Sequence, residues 1–285
     1  MEDGLRRRRM YSQISLNDIT IRQAPFGERF DIARKAGYSG VEFRVDEARD
    51  YGREHGGLGS VLELLQKSGL RFDQALLLRE CLSAAHQKER DKFLKEAEAF
   101  FRDTKFLGGK CVLACSAFGP VDLKAAPVLF GELCDLADTF GISLALEFIG
   151  WAETIKDIRT AREIIEKAGR RNGGIYYDTL HHHFGGSSFQ DLEELSTQSI
   201  FGVHIADALN LDLNAFDIGR KHRLFPGHGV IRIPEMLTIL NKKGYRSFFA
   251  LELFNEEYVK RPALDVAKEG FDLTAKALSQ AGYDR

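Results

Sequence analysis

The sequence contains little cysteine, and no cysteine pair has the spacing of a zinc or redox motif. Its 285 residues include four cysteines, Cys81, Cys111, Cys115 and Cys134, with no CxxC pair among them. A structural zinc site or a disulfide framework normally shows cysteines at close, regular spacing. The pattern therefore predicts four small, buried, reduced thiols in a chain that works in a reducing compartment.

Long apolar runs and a strong excess of one charge are also missing. No run of about 18 apolar residues occurs, which is the length that a transmembrane helix needs. No apolar segment follows Arg6 to Arg9 as it would in a secretory signal. The formal net charge of -2 gives no general attraction for nucleic acid or for a membrane surface. We expect a cytoplasmic protein without either partner, in which residues 1–10 form a flexible basic arm.

What the chain does contain is a regular alternation of short apolar runs and longer segments with helical spacing. Eight predicted strands alternate with eight predicted helices over residues 11–285, with no linker between halves. Strict alternation implies a parallel sheet, and eight units in this length predict a single-domain (β/α)₈ TIM barrel. Two polar segments, 46–57 and 206–229, are predicted as loops. Thr154 is predicted to cap the helix that ends at Ala168.

Four polar residues stand at the ends of the last four predicted strands, each among apolar neighbours. They are Glu147, Asp178, His204 and Glu252. The carboxyl ends of barrel strands meet at one mouth, and buried carboxylates that converge there repel one another unless a cation lies between them. Taken singly, a glutamate could be an ion-pair partner and the histidine a core residue. Together the four predict one divalent metal ion, with Mn²⁺ favoured and Mg²⁺, Co²⁺, Fe²⁺ or Zn²⁺ tolerated.

Five short motifs resemble those of the sugar phosphate isomerase/epimerase family, whose fold is the xylose isomerase-like barrel, and above all its inosose isomerases. The motifs are ALEFIG at 145–150, DTLHHH at 178–183, VHIAD at 203–207, RLFPGHG at 223–229 and ALELF at 250–254. The resemblance runs from about residue 16 to residue 258. It implies the same four metal ligands and makes Glu147 and Glu252 an acid/base pair.

The resemblance also implies a set of substrate contacts. His181 and Arg223 match substrate-contacting positions of the family, whereas Trp151 and His228 depart from its usual residues and could line the pocket. Asp178 is then the one metal ligand of its motif, while His182 points away. The roles of His183 and of three further histidines, His55, His86 and His222, are left open.

The implied activity is a metal-dependent isomerisation or epimerisation of a keto-sugar or keto-inositol. A proton next to a polarised carbonyl is removed, and the resulting enediolate is reprotonated elsewhere. A dehydratase of a keto-polyol, such as 3-dehydroshikimate or inosose, would share the first step and is one alternative. A non-catalytic barrel subunit of a complex is another. A homodimer is an option that the family leaves open.

Overall fold

The computed structural model describes residues 10–83 and 88–284, and these form a closed barrel of eight parallel strands in chain order. The predicted (β/α)₈ barrel is confirmed. The predicted basic arm lies outside the described residues except for Met10, which is buried. The strands are β1 Ile14–Asn17, β2 Gly40–Arg44, β3 Arg71–Leu78, β4 Cys111–Cys115, β5 Ser143–Glu147, β6 Gly173–Asp178, β7 Ile200–Ile205 and β8 Phe249–Leu251.

Helices occupy the connections between the strands. The α-helices of the described chain are Phe26–Ala36, Val45–Glu54, Leu58–Ser68, Arg90–Phe106, Ala126–Asp138, Ile158–Ala168, Thr179–Gly185, Phe189–Glu194, Ala215–Lys221, Ile233–Lys242 and Ala263–Gln280. Short 3₁₀ turns lie at Asp18–Ile21, Thr197–Ser199 and Tyr258–Lys260. In the ranges that the structure describes, none of the helices combines the length and apolar character that crossing a membrane would require.

The helix Ile158–Ala168 shows how sequence builds the outer layer. Its buried positions recur every three or four residues, which turns one stripe towards the barrel. The side chain of Asp157 caps it by accepting a hydrogen bond from the Thr160 N–H at 2.8 Å. The prediction that Thr154 caps this helix is wrong, because the Thr154 hydroxyl instead accepts from the Val121 N–H in a neighbouring loop.

Both segments predicted as loops contain a helix. The segment 46–57 is largely the helix Val45–Glu54, whose buried Val45, Ala48 and Gly52 form a narrow stripe among charged residues. The segment 206–229 contains Ala215–Lys221, which is capped by the Asn214 side chain. In each case the helix was missed because polar side chains dominate the segment and only a few buried residues mark its inner face.

Strand register brings the strand ends to one level. Asp178 of β6 pairs with His204 of β7. His204 in turn pairs with Ala250 of β8, which lies two residues before Glu252. On the other side, Glu147 pairs with Cys115 of β4. The carboxyl ends of β5 to β8 therefore open into one mouth. All four cysteines are free thiols, and Cys81, Cys115 and Cys134 are buried as predicted, whereas Cys111 is half-buried.

Candidate metal centre

The three predicted carboxylate ligands converge on one nitrogen of the fourth predicted ligand, the buried imidazole of His204. His204 Nδ1 lies 3.3 Å from Glu147 Oε1, 3.5 Å from Glu252 Oε2 and 3.9 Å from Asp178 Oδ2. All four side chains are buried. The ligand atoms of Asp178, His204 and Glu252 all lie within 4.8 Å of one another. The structure thus brings together four side chains separated by up to about a hundred residues in sequence.

These spacings fit a small divalent ion. Bonds of about 2.1 Å to nitrogen and oxygen place neighbouring ligand atoms about 3.4 Å apart in a tetrahedral arrangement. The three separations from His204 Nδ1, 3.3, 3.5 and 3.9 Å, bracket that value. Three carboxylates and one imidazole form an oxygen-rich donor set that suits Mn²⁺ and Mg²⁺ and also accepts Zn²⁺. The residues therefore have the geometry and the chemistry to hold one ion.

The charges of the cluster are strongly coupled. Burial raises the pKa of Glu147 to about 7, and the nearby Glu252 and Asp178 add to this effect against the opposing influence of His204. Burial on its own would lower the pKa of His204, but Glu252, Glu42 and Glu147 raise it well above its usual value. Without a cation the cluster therefore holds protons that a divalent ion would displace.

Asp178 has three structural tasks at once. Its Oδ1 accepts from the N–H groups of Leu180 at 2.6 Å and His181 at 3.1 Å, so it caps the helix Thr179–Gly185. Its Oδ2 faces His204 and accepts from Arg223 Nη1 at 3.0 Å. Burial would raise the pKa of Asp178, but the surrounding positive groups, Arg223 among them, lower it to about 2. Asp178 is therefore a fixed anion at the centre.

Arg223 lies against the ligands themselves. It is buried, and its Nη1 also donates to Glu252 Oε2 at 2.7 Å, while Nε donates to the Gly219 carbonyl at 2.8 Å. The sequence predicted a substrate contact at this position. The structure places Arg223 in the lining of the mouth but commits one of its nitrogens to two carboxylates. Its first effect is to orient Asp178 and Glu252.

His181 presents one defined nitrogen to the mouth. The Gly150 N–H donates to His181 Nδ1 at 3.2 Å, so the neutral ring carries its proton on Nε2, which lies 3.8 Å from Asp178 Oδ2. Burial lowers the pKa of His181 to about 3. At neutral pH the ring is thus uncharged and can donate through Nε2 to a bound molecule.

An aromatic wall stands beside His181. The edge of Trp151 meets the His181 ring at a centroid separation of 4.7 Å, and Phe118 and Phe216 pack around the indole at 6.4 Å and 5.9 Å. The cavity at this mouth is lined by Glu147, Glu252, Arg223, His181, Trp151 and Phe118, among others. Trp151 therefore lies where the sequence predicted a pocket residue.

The remaining histidines of the described residues do not line the mouth. His228 is exposed and lines a separate cavity with Pro226 and Ile233, so the structure does not bring it to the predicted substrate site. His182 points away, as predicted, with its Nδ1 3.0 Å from the Tyr177 hydroxyl. His183 is exposed beside Phe189 and Arg232. His55 stacks on Tyr51, and His222 pairs with Asn255 in an isolated bridge, while His86 falls outside the described residues.

Sequence reasoning missed two polar residues behind the cluster. Glu42 of β2 is fully buried, with Oε2 2.8 Å from His204 Nε2. Asn17, at the end of β1, donates from Nδ2 to Glu252 Oε1 at 2.9 Å. A glutamate between Val41 and Phe43 in a strand was the available signal, because an isolated charged residue in a parallel strand is costly to bury unless it has a partner.

Comparison with known proteins supports the resemblance. Residues 30–277 match the model of the family described as Xylose isomerase-like TIM barrel. Inosose isomerase of Halalkalibacterium halodurans is 36% identical over 150 residues, so that match spans about half of each chain. Inosose isomerase of Bacillus velezensis is 25% identical over 92% of this chain and 95% of its own.

Two further likenesses concern the metal and the reaction. The crystal structure of the IolI protein with a zinc atom superimposes with a TM-score of 0.86 at 25% identity, covering 94% of this chain and 98% of that one. The 3-dehydroshikimate dehydratase of Pseudomonas aeruginosa is 25% identical over 85% of this chain, but the match covers 38% of that protein. The relatives thus include both an isomerase and a dehydratase.

Proposed function

The chain belongs to the xylose isomerase-like TIM barrel family, and from this premise we propose that it is a divalent-metal-dependent isomerase or epimerase of a keto-sugar or keto-inositol. The observation that carries the proposal is the pairing of Glu147 and Glu252 around His204 Nδ1, at 3.3 and 3.5 Å. They come from β5 and from the end of β8, three strands apart, so they approach the mouth from different sides. Two opposed carboxylates are what proton removal and return require.

A divalent ion bound by Glu147, Asp178, His204 and Glu252 would supply Lewis-acid polarisation of the substrate carbonyl. The chain's own side chains then handle the proton. Glu147 takes a proton from the carbon next to the carbonyl, and Glu252, in its protonated form, delivers a proton to the opposite face of that carbon, or to the neighbouring carbonyl carbon while the hydroxyl proton passes to the carbonyl oxygen. Return to the neighbouring carbon is isomerisation, and return to the opposite face of the same carbon is epimerisation.

His181 and the aromatic wall position the substrate. The His181 Nε2–H donates to a substrate oxygen whose negative charge increases as the proton leaves, so the bond strengthens in the transition state. Trp151, against which Phe216 packs, and Phe118 offer an apolar face to the C–H side of a polyol ring and exclude water from one side of the mouth. Arg223 keeps Asp178 and Glu252 in place through its hydrogen bonds to both carboxylates.

A dehydratase is the second candidate, and the likeness to 3-dehydroshikimate dehydratase favours it. The same proton removal by Glu147 would be followed by loss of a hydroxyl at the β carbon instead of by reprotonation. Nothing among the mouth residues separates the two outcomes, because both begin with the same base and the same polarised carbonyl. Identification of the reaction product distinguishes the two activities.

The test uses the purified chain with Mn²⁺ or Zn²⁺ in D₂O. Keto-inositols, ketohexoses and 3-dehydroshikimate are followed by NMR. Deuterium incorporation together with a new keto isomer or epimer is the expected result, and a new enone signal without an isomer would assign the dehydratase. Glu147→Gln should abolish exchange, whereas Glu163→Gln, on an outer helix and paired with Lys167, should not change it. No exchange with any substrate by metal-loaded protein would overturn the proposal.

A further inference from the structure

The two nitrogens of His204 have opposite surroundings. Nδ1 faces Glu147, Asp178 and Glu252, as described above. Nε2 points to the other side, where Glu42 Oε2 lies at 2.8 Å. Glu42 is completely buried within β2, and its carboxylate contacts the cluster through His204. The proposed reaction gives this fourth buried carboxylate no task.

The contacts at Nε2 decide which nitrogen carries the proton. A carboxylate at Nε2 requires an N–H, whereas Asn17 Nδ2, at 3.3 Å, is a donor and would require a lone pair. The Glu42 contact is the shorter of the two. The Asn17 amide already has an acceptor in Glu252 Oε1 at 2.9 Å. Nε2 is therefore the nitrogen that keeps its proton, and Nδ1 is the nitrogen whose lone pair becomes available to an ion held between the three carboxylates.

Glu42 is itself fixed by a second donor. The Tyr176 hydroxyl donates a short hydrogen bond to Glu42 Oε1. Tyr176 is fully buried, and its ring lies against the imidazole of His204 at a centroid separation of 4.3 Å. The hydroxyl and the imidazole thus hold both oxygens of Glu42. A carboxylate held in this way cannot rotate out of line without leaving a buried donor unsatisfied.

We propose that Glu42 is a positioning residue of the metal centre, which holds His204 as the Nε2–H tautomer so that Nδ1 binds the ion. The inference rests on the proposed metal site. Glu42 touches neither the ion nor the substrate. A carboxylate behind a ligating histidine orients the ring and increases its basicity, and loss of such a partner typically lowers metal affinity about 10- to 100-fold.

The primary measurement is the Zn²⁺ and Mn²⁺ affinity of the whole chain, by competition with a chelator. Glu42→Ala should weaken binding by about 10- to 100-fold. Glu42→Gln should lose less metal affinity, because its amide oxygen can still accept a hydrogen bond from Nε2. The metal affinity of Tyr176→Phe should lie between those of the wild type and Glu42→Ala. Gln74→Ala, which removes another buried polar side chain from the barrel, is the matched control and should bind like the wild type.

The second measurement reads the tautomer directly. In ¹⁵N-histidine NMR spectra the wild-type protein loaded with Zn²⁺ should show His204 protonated at Nε2. Glu42→Ala should show loss of that single state, even where the loaded protein still forms. If Glu42→Ala does not fold, as judged by circular dichroism, Glu42→Gln and Tyr176→Phe carry the same test.

The outcomes separate this inference from the proposed function. A wild-type chain that binds neither ion would overturn both. A wild-type chain that binds, with unchanged affinity and an unchanged tautomer in the Glu42 and Tyr176 variants, would overturn the role of Glu42 and leave the metal site standing. An affinity loss in Gln74→Ala as large as in Glu42→Ala would show general damage to the barrel and would also overturn it.

Discussion

Arg223 Nη1 lies 2.7 Å from Glu252 Oε2, so a buried guanidinium is bonded to one of the two glutamates that we propose to move protons. The same nitrogen holds Asp178 Oδ2 at 3.0 Å. The Arg223 guanidinium thus neutralises part of the negative charge of the three carboxylates. It also keeps two of them in the orientation that faces His204 Nδ1. The pairing makes Arg223 important for the stability of the metal-free protein.

Replacement of Arg223 by glutamine should destabilise the metal-free protein markedly. Removing one partner of a buried ion pair leaves an uncompensated charge, at a cost of about 3–5 kcal/mol. A divalent ion replaces part of the lost positive charge, so the deficit should shrink when Zn²⁺ is present. Chemical unfolding with EDTA and with Zn²⁺ measures both values.

The matched control for that variant is Arg102→Gln. Arg102 forms a solvent-exposed pair with Glu98 on an outer helix. Its loss should cost less than about 1 kcal/mol and should not depend on metal. If Arg223→Gln unfolds like this control in EDTA, then Arg223 does not stabilise the cluster.

Stability of the metal-free protein should fall as the pH rises from 6.5 to 8. The pKa of Glu147 is raised to about 7 in the fold, and that of His204 is raised well above its usual value. The folded state therefore binds more protons than the unfolded state in this range, and stability decreases as these protons leave. His181 and His182, with pKa values lowered to about 3 and about 4, oppose this trend below about pH 7.5, where the unfolded imidazoles still bind protons, and they only reduce the slope.

The stability of the metal-loaded protein should decrease less over this pH range, because the ion takes the place of the protons in the cluster. Unfolding midpoints between pH 6.5 and 8, with EDTA and with saturating Zn²⁺, give the difference. Asp18, whose pKa burial also raises to about 7, contributes equally to both series and cancels. Two parallel pH profiles would show that protons do not occupy the metal-free cluster.

His181→Gln should reduce turnover without emptying the metal site. His181 donates through Nε2 to the substrate oxygen in our proposal, and loss of one such donor typically costs about 100- to 1000-fold in kcat. Metal affinity should change little, because the Asp178 side chain keeps its bonds to the Leu180 N–H and to Arg223. The neighbouring His182 is the control. His182→Gln removes a contact with the Tyr177 hydroxyl outside the mouth and should leave kcat intact.

The sequence was informative wherever function depends on strand ends. Regular alternation predicted the barrel, and the four polar residues at Glu147, Asp178, His204 and Glu252 predicted a convergence that the structure contains. The helix Thr179–Gly185 was missed because it has only seven residues and begins inside the histidine motif. Its cap could not be recognised from the sequence either, because Asp178 fits the end of a strand equally well.

Glu42 was missed for a different physical reason. In the run Val41–Glu42–Phe43 the glutamate occupies an alternate position, which in a half-exposed strand would face solvent. In a closed barrel that position faces the interior. Its partner His204 lies 162 residues away in sequence, so only the three-dimensional structure shows that the charge is satisfied.

The two glutamates should have unequal parts in the proton transfer. Both oxygens of Glu252 already accept hydrogen bonds, from Asn17 and from Arg223. The Oε1 atom of Glu147 contacts His204 Nδ1, a nitrogen that the metal would occupy, so Glu147 retains more capacity to accept a proton. Glu147 should therefore be the base for substrate, and Glu252 the acid that completes the product.

Partial reactions in D₂O test this order. Glu252→Gln should still exchange the substrate proton for deuterium, more slowly than wild type, while forming little product. Glu147→Gln should block exchange as well as product formation. Because both residues also bind the ion, each variant has to be assayed at measured, equal metal occupancy, so that lost metal is not mistaken for a lost proton carrier. Exchange by Glu147→Gln but not by Glu252→Gln would reverse the two roles, since the residue whose loss stops exchange is the one that first takes the proton.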